Sequence, residues 1–146
     1  MAASEATIGL GSSFSHRTSA AGVTPAVYAE IGEAVSITPP NPTRETADTT
    51  HLKSPNGTRE FIGTLRDGGE VTVMFNWTDA AYAKASALFL EDDVQGFRID
   101  YPDGATEDFN AIVTGKPGEP IEVDSVRRFS LPMKVSGLPV YTEAGA

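Results

Sequence analysis

Residues 59–93 read REFIGTLRDGGEVTVMFNWTDAAYAKASALFLEDD, and this stretch decides the fold. Val71, Val73, Phe75 and Trp77 fall on one face of an extended segment, with Thr72, Met74 and Asn76 on the other. Such alternation is what a sheet with one dry face requires. Arg66-Asp67-Gly68-Gly69 supplies turn dipeptides, so Arg59–Leu65 and Glu70–Trp77 are predicted to form a hairpin. At Thr78 the pattern changes. Thr78 or Asp79 can cap free N–H groups, and Ala80, Ala81, Ala83, Ala85 and Ala87 favour helix. Ala81, Tyr82, Ala85, Leu88 and Phe89 make one apolar stripe that should lie on the sheet. Glu91, Asp92 and Asp93 then crowd the negative end of the helix dipole, where the helix is expected to stop.

Strand patterns continue on both sides. Downstream, Phe97, Ile99 and Tyr101 alternate with Arg98 and Asp100, Pro102-Asp103-Gly104 turns the chain, and Phe109, Ala111 and Val113 return on the same face. A Gly/Pro loop over 116–120 leads to a last strand, Val126–Ser136, which Pro132 is expected to place at a sheet edge or bulge. Upstream, residues 26–38 read as one long strand broken near Gly32. The fold class is therefore mainly β: a sandwich or barrel of about six or seven strands with one flanking helix.

Two stretches lack a core pattern. Residues 1–24 are small and polar, with only Ile8, Leu10 and Phe14 as anchors, and read as a flexible arm. Residues 39–58, PPNPTRETADTTHLKSPNGT, form a long loop inserted in a domain spanning 25–140, and Leu52 is its only large apolar side chain. A loop of this length is usually functional or mobile. Residues 141–146 are read as a C-terminal tail.

The chain has 146 residues and no cysteine, which excludes disulfide scaffolds, thiolate metal sites and thiol nucleophiles. Its formal charge of −9 argues against a nucleic-acid binder, since affinity for phosphate depends on a basic footprint. No run is long and apolar enough for a membrane helix, and the first residues do not read as a secretory signal. His16 and His51 sit in polar stretches and are read as surface histidines. The acidic clusters at 91–93 and at Asp103, Glu107 and Asp108 lack calcium-loop spacing. Gly9-Leu10-Gly11 is not part of a strand–helix unit, so it is no dinucleotide loop. Asn56-Gly57-Thr58 reads as a turn, and Arg127-Arg128 as exposed arginines. No catalytic residue, cofactor site or metal site is found.

Taken in order, the strand ending SITPPNPTRET, the pair LRDGGEVTVMFNW, the alanine-rich helix, the hairpin YPDGATEDF and the closing LPMKVSGLPV span nearly the whole chain. This order resembles the major tail tube proteins of long, non-contractile-tailed bacteriophages, which also occur in prophages and gene transfer particles. The resemblance implies hexameric rings stacked into a hollow tube that conducts DNA from the capsid. It implies a virion protein assembled in the bacterial cytoplasm, with tape measure, terminator and tail tip proteins as partners. It also implies that the long loop, helped by the arm, reaches the neighbouring ring. On that basis Arg44, Glu45, Asp48, His51, Leu52 and Lys53, with Ile8, Leu10 and Phe14, are the expected stacking residues. The strands at 70–77 and 126–136 are the expected lateral edges. Two other readings stay open: another ring component, such as a terminator or a secretion-system tube, and a carbohydrate-binding sandwich. A hydrolase using the acidic clusters has no further support.

Overall fold

The computed structural model describes residue 4, residues 8–19 and residues 24–145. In chain order the elements are β1 (Ser13–Arg17), β2 (Tyr28–Glu30), β3 (Ala34–Thr38), β4 (Thr43–Asp48), β5 (Phe61–Asp67), β6 (Glu70–Asn76), α1 (Asp79–Phe89), β7 (Gln95–Asp100), β8 (Thr106–Val113) and β9 (Arg128–Thr142). Seven strands form one sheet in the order β2-β1-β7-β8-β9-β6-β3, while β4 and β5 pair in a separate ribbon.

The sheet curls until its ends meet. β2 pairs with β1 and β3 with β6, yet only Ile31, Gly32 and Glu33 separate them. Ile31 N–H donates to the Phe14 carbonyl, and Asn76 N–H to that of Glu33, so this link stitches β1 to β6. Phe14 and Phe75 meet inside the closure, ring centroids 6.2 Å apart. The expected break near Gly32 is therefore the point where one extended run exchanges partners and shuts a barrel. Glycine is needed there because a Cβ would lie 2.7 Å from that of Ala81 on the helix.

The core follows the alternation. Val71, Val73 and Phe75 from β6, Phe97 and Ile99 from β7, Phe109, Ala111 and Val113 from β8, and Phe129, Leu131, Met133 and Val135 from β9 all point inward. Ala81, Ala85 and Leu88 of α1 close this core, with Tyr82 half-buried beside them. Thr78 caps the helix, its Oγ accepting from Ala81 N–H at 3.2 Å. Phe89, at the end of the predicted stripe, stays 40% exposed instead of joining the core.

Four expectations are corrected. Part of the arm expected over 1–24 is a strand: β1 lies between β2 and β7, and Phe14 is fully buried against Phe97 and Phe109. His16, read as a surface residue, is buried on the same strand, its Nε2 donating to Gln95 Oε1 at 3.1 Å. The predicted hairpin between 59–65 and 70–77 does not form. Arg66–Gly69 is instead a corner between two sheets, and β5 pairs with β4. The corner is pinned to β9: Val135 N–H donates to the Gly69 carbonyl, and a Cβ at Gly68 would sit 2.3 Å from the Gly137 carbonyl. Finally, β6 lies between β3 and β9, and β9 lies between β6 and β8 as far as Lys134, so neither is the lateral edge expected over 70–77 and 126–136. Pro132 survives inside the sheet because β8 ends beside it. Its carbonyl accepts from Thr114 N–H as the chain leaves, and its missing N–H deprives no partner.

Candidate assembly surfaces

The ribbon β4–β5 holds most of the expected stacking residues. Arg44, Glu45 and Asp48 lie on β4, and His51, Leu52 and Lys53 form its tip. The long loop of the sequence reading is thus the first half of a hairpin, with β5 as the second. The tip is held locally. Ser54 Oγ donates to Glu60 Oε2 at 2.7 Å, and His51 Nδ1 lies 3.3 Å from the same carboxylate. Arg59 reaches Asp48 at 3.3 Å. Hydrogen bonds from Thr50, its side chain and then its backbone N–H, lower the Asp48 pKa below the usual carboxylate value. At the base, the Gly69 N–H and then Lys134 lower that of Asp67.

Register puts Arg44 opposite Arg66 and Asp48 opposite Phe61 on one face, with Ala47 opposite Ile62 on the other. Every residue of β5 is exposed: Phe61 at 56%, Ile62 at 55% and Leu65 at 84%. The sequence alternation of this strand gave no hint of that, because apolar residues at strand spacing read as core. Ile8 and Leu10 are exposed beside the start of β1, whereas Phe14 belongs to the core and presents no surface. Ile8 helps to line an open cavity of about 380 Å³ with Val35, Ile37, Pro39, Ile99 and Tyr101.

The barrel wall uses its charges internally. Arg98 bonds Asp108 at 2.6 and 3.1 Å across the β7–β8 ladder, and that bond raises the arginine pKa. The guanidinium also sits 4.0 Å over the Tyr28 ring. Tyr101 donates to Glu107 at 2.8 Å, and burial, then that carboxylate, pushes the phenol pKa up. Asp103 Oδ1 accepts from Ala105 N–H in the turn. The acids at 103–108 therefore hold a hairpin together. Among the described residues no group of three or more His, Asp or Glu side chains is placed to hold a metal ion. Trp77 packs on Tyr82 at 4.2 Å and edge-on to Phe129, beneath Arg127, and offers no flat platform for a sugar. Among the described residues no helix is long and apolar enough to cross a membrane.

The sequence profile of the lambda phage tail tube protein family matches residues 13–142, and the chain belongs to that family. It is a structural component of a phage-type tail. No curated protein matches it by sequence. Its fold is similar to that of a chain in the tail of an empty gene transfer agent (GTA) particle with C6 symmetry: 20% identity, TM-score 0.71, covering 94% of this chain and 100% of that one. A chain from a native gene transfer agent virion is 21% identical at TM-score 0.64, covering 80% of this chain and 89% of the other. A chain from the sheath/tube terminator of an extracellular contractile injection system shares the fold at 10% identity and TM-score 0.67, over 97% of this chain and all of that one.

Proposed function

We propose that this protein closes into hexameric rings and that the β4–β5 ribbon stacks each ring on the next to build the tail tube. The observation that supports this is the ribbon itself. A two-stranded ribbon with no buried side is marginal in water, and this one keeps Phe61, Ile62 and Leu65 exposed. A neighbouring copy would bury them. Lateral closure uses open sheet edges, where unpaired backbone groups can join strands between subunits. The outer side of β9 past Gly137 is such an edge, since residues 138–142 lie beyond the corner at Gly68 and Gly69 and pair only with β8.

The charge of −9 suits a conduit for DNA, because phosphate would be repelled rather than held. The further partners on this reading are tape measure, terminator and tail tip proteins, with assembly in the bacterial cytoplasm and no catalytic role. Replacing residues 43–67 by a short Gly/Ser linker is expected to leave folded monomers or rings and no tubes in negative-stain micrographs. Normal tubes from that variant would overturn the reading. The shared fold of the terminator chain favours a second reading, a ring that ends a tube. A tube protein lengthens with concentration, whereas a terminator halts at one ring.

A further inference from the structure

The ribbon carries cations without partners. Arg44 and Arg66 stand directly opposite each other in the β4–β5 register. Like charges facing across a ladder are destabilising unless an anion lies near. Among the described residues neither guanidinium has a carboxylate within ion-pair distance, while Arg59 is already engaged by Asp48.

The loop before β9 carries the complement. Residues 119–126, EPIEVDSV, interleave Glu119, Glu122 and Asp124 with Ile121, Val123 and Val126. The three aliphatics are exposed, Ile121 at 68% and Val126 at 63%. None of the three carboxylates has a cation within ion-pair distance among the described residues. The nearby cations are committed elsewhere. Lys116 reaches Ser86 Oγ at 2.6 Å, Arg127 lies over Trp77, and Arg128 bonds Asn76 Oδ1 at 3.3 Å.

Glu122 accepts from Ser125 Oγ at 3.1 Å, but neither surface has opposite charge beside it, and the two lie at opposite ends of β6. Glu70 adjoins the corner from which the ribbon departs, and Asn76 pairs with Arg128, where the loop rejoins the sheet. A strand of this length, 7 residues, separates them by roughly 20 Å. One subunit cannot bring them together, but copies arranged head to tail can.

We infer that the β4–β5 ribbon docks on the 119–126 loop of another copy of this chain, with Arg44 and Arg66 against Glu119, Glu122 and Asp124 and with Phe61, exposed on the arginine face, against the loop's exposed aliphatics. This rests on the stacking role proposed above and names the surface that receives the ribbon. The test is a charge exchange. Arg44→Glu with Arg66→Glu, and separately Glu119→Lys with Glu122→Lys and Asp124→Lys, are each expected to abolish tubes while circular dichroism stays unchanged. Both sets in one chain are expected to restore tubes. Normal tubes from the loop variant, or no rescue in the combined chain, would overturn the docking. If removal of the ribbon abolishes tubes but the loop variant assembles normally, only the loop assignment falls. If the ribbon-deleted chain still forms tubes, the stacking role falls with it. Because the chain has no cysteine, Arg66→Cys combined with Glu122→Cys gives an independent readout. Oxidised tubes are expected to yield a ladder of disulfide-linked chains, and tubes that stay monomeric on a non-reducing gel would refute the contact.

Discussion

Phe14 shows how one residue can be misread when its neighbours are polar. It lies among small residues, yet its ring stacks on Phe97 at 5.5 Å and touches Phe75 and Phe109. Phe14→Ala is expected to cost about 3–5 kcal/mol in a denaturant titration of the monomer, the usual range for an emptied aromatic site. A stacking residue would instead leave monomer stability unchanged. His16 makes a second case. With Nε2 donating to Gln95, Nδ1 is left as a buried acceptor with no partner. Burial lowers its pKa from 6.5, opposed by the Gln95 bond and the Glu91 charge and reinforced by Lys84 and Arg17. The unfolded chain therefore takes up a proton first as pH falls. The stability that neutral His16 provides is intact above its unfolded value and declines below about 6.5, toward its lower folded pKa. Urea titrations from pH 7.5 to pH 5 are expected to show a smaller loss in His16→Gln than in the native chain. Equal losses would remove His16 as the cause.

At the scale of elements, the helix and the β7–β8 hairpin were legible because each is decided locally. Thr78, the alanines and the stripe from Ala81 to Phe89, of which Phe89 alone stays exposed, define α1, and Pro102-Asp103-Gly104 defines the turn. Thr78→Ala is expected to cost about 1 kcal/mol, measured by thermal unfolding. Pairing was legible less often. Arg66–Gly69 has turn chemistry, but the turn it makes leads from ribbon to barrel, because Gly68 packs against β9 where no side chain fits. Gly68→Ala is expected to lower stability by roughly 1–3 kcal/mol, the scale of overpacking. By tilting the ribbon it should also reduce tube yield relative to a Thr78→Ala control of similar stability. Equal yields would mean that the corner does not aim the ribbon.

For the whole molecule, net charge is the property that composition states directly. A subunit of −9, repeated around a ring, is expected to form tubes that retain no double-stranded DNA in a sedimentation assay at about 0.1 M salt, where phosphate contacts would still hold a basic bore. Co-sedimentation that weakens steeply with salt would show a basic lining instead. The candidate stacking surface was only half legible. Residues 39–58 stood out because they had no core pattern. Phe61, Ile62 and Leu65 were hidden because strand alternation does not say whether a sheet's other face is covered. The 119–126 loop went unnoticed because its acids and aliphatics look like ordinary loop composition until it is seen that, among the described residues, no cation pairs with those acids.

Alternation, capping and turn chemistry act over a few residues, so the sequence by itself determined the strand and helix content, the absence of thiol chemistry and the acidic character of the chain. Partner choice between strands depends on residues far apart along the chain. Only the tertiary structure decided that residues 28–38 would shut the barrel, that Phe14 would fill it, that β9 would lie between β8 and β6 in its wall, and that one ribbon would be left with nothing of its own to lie on.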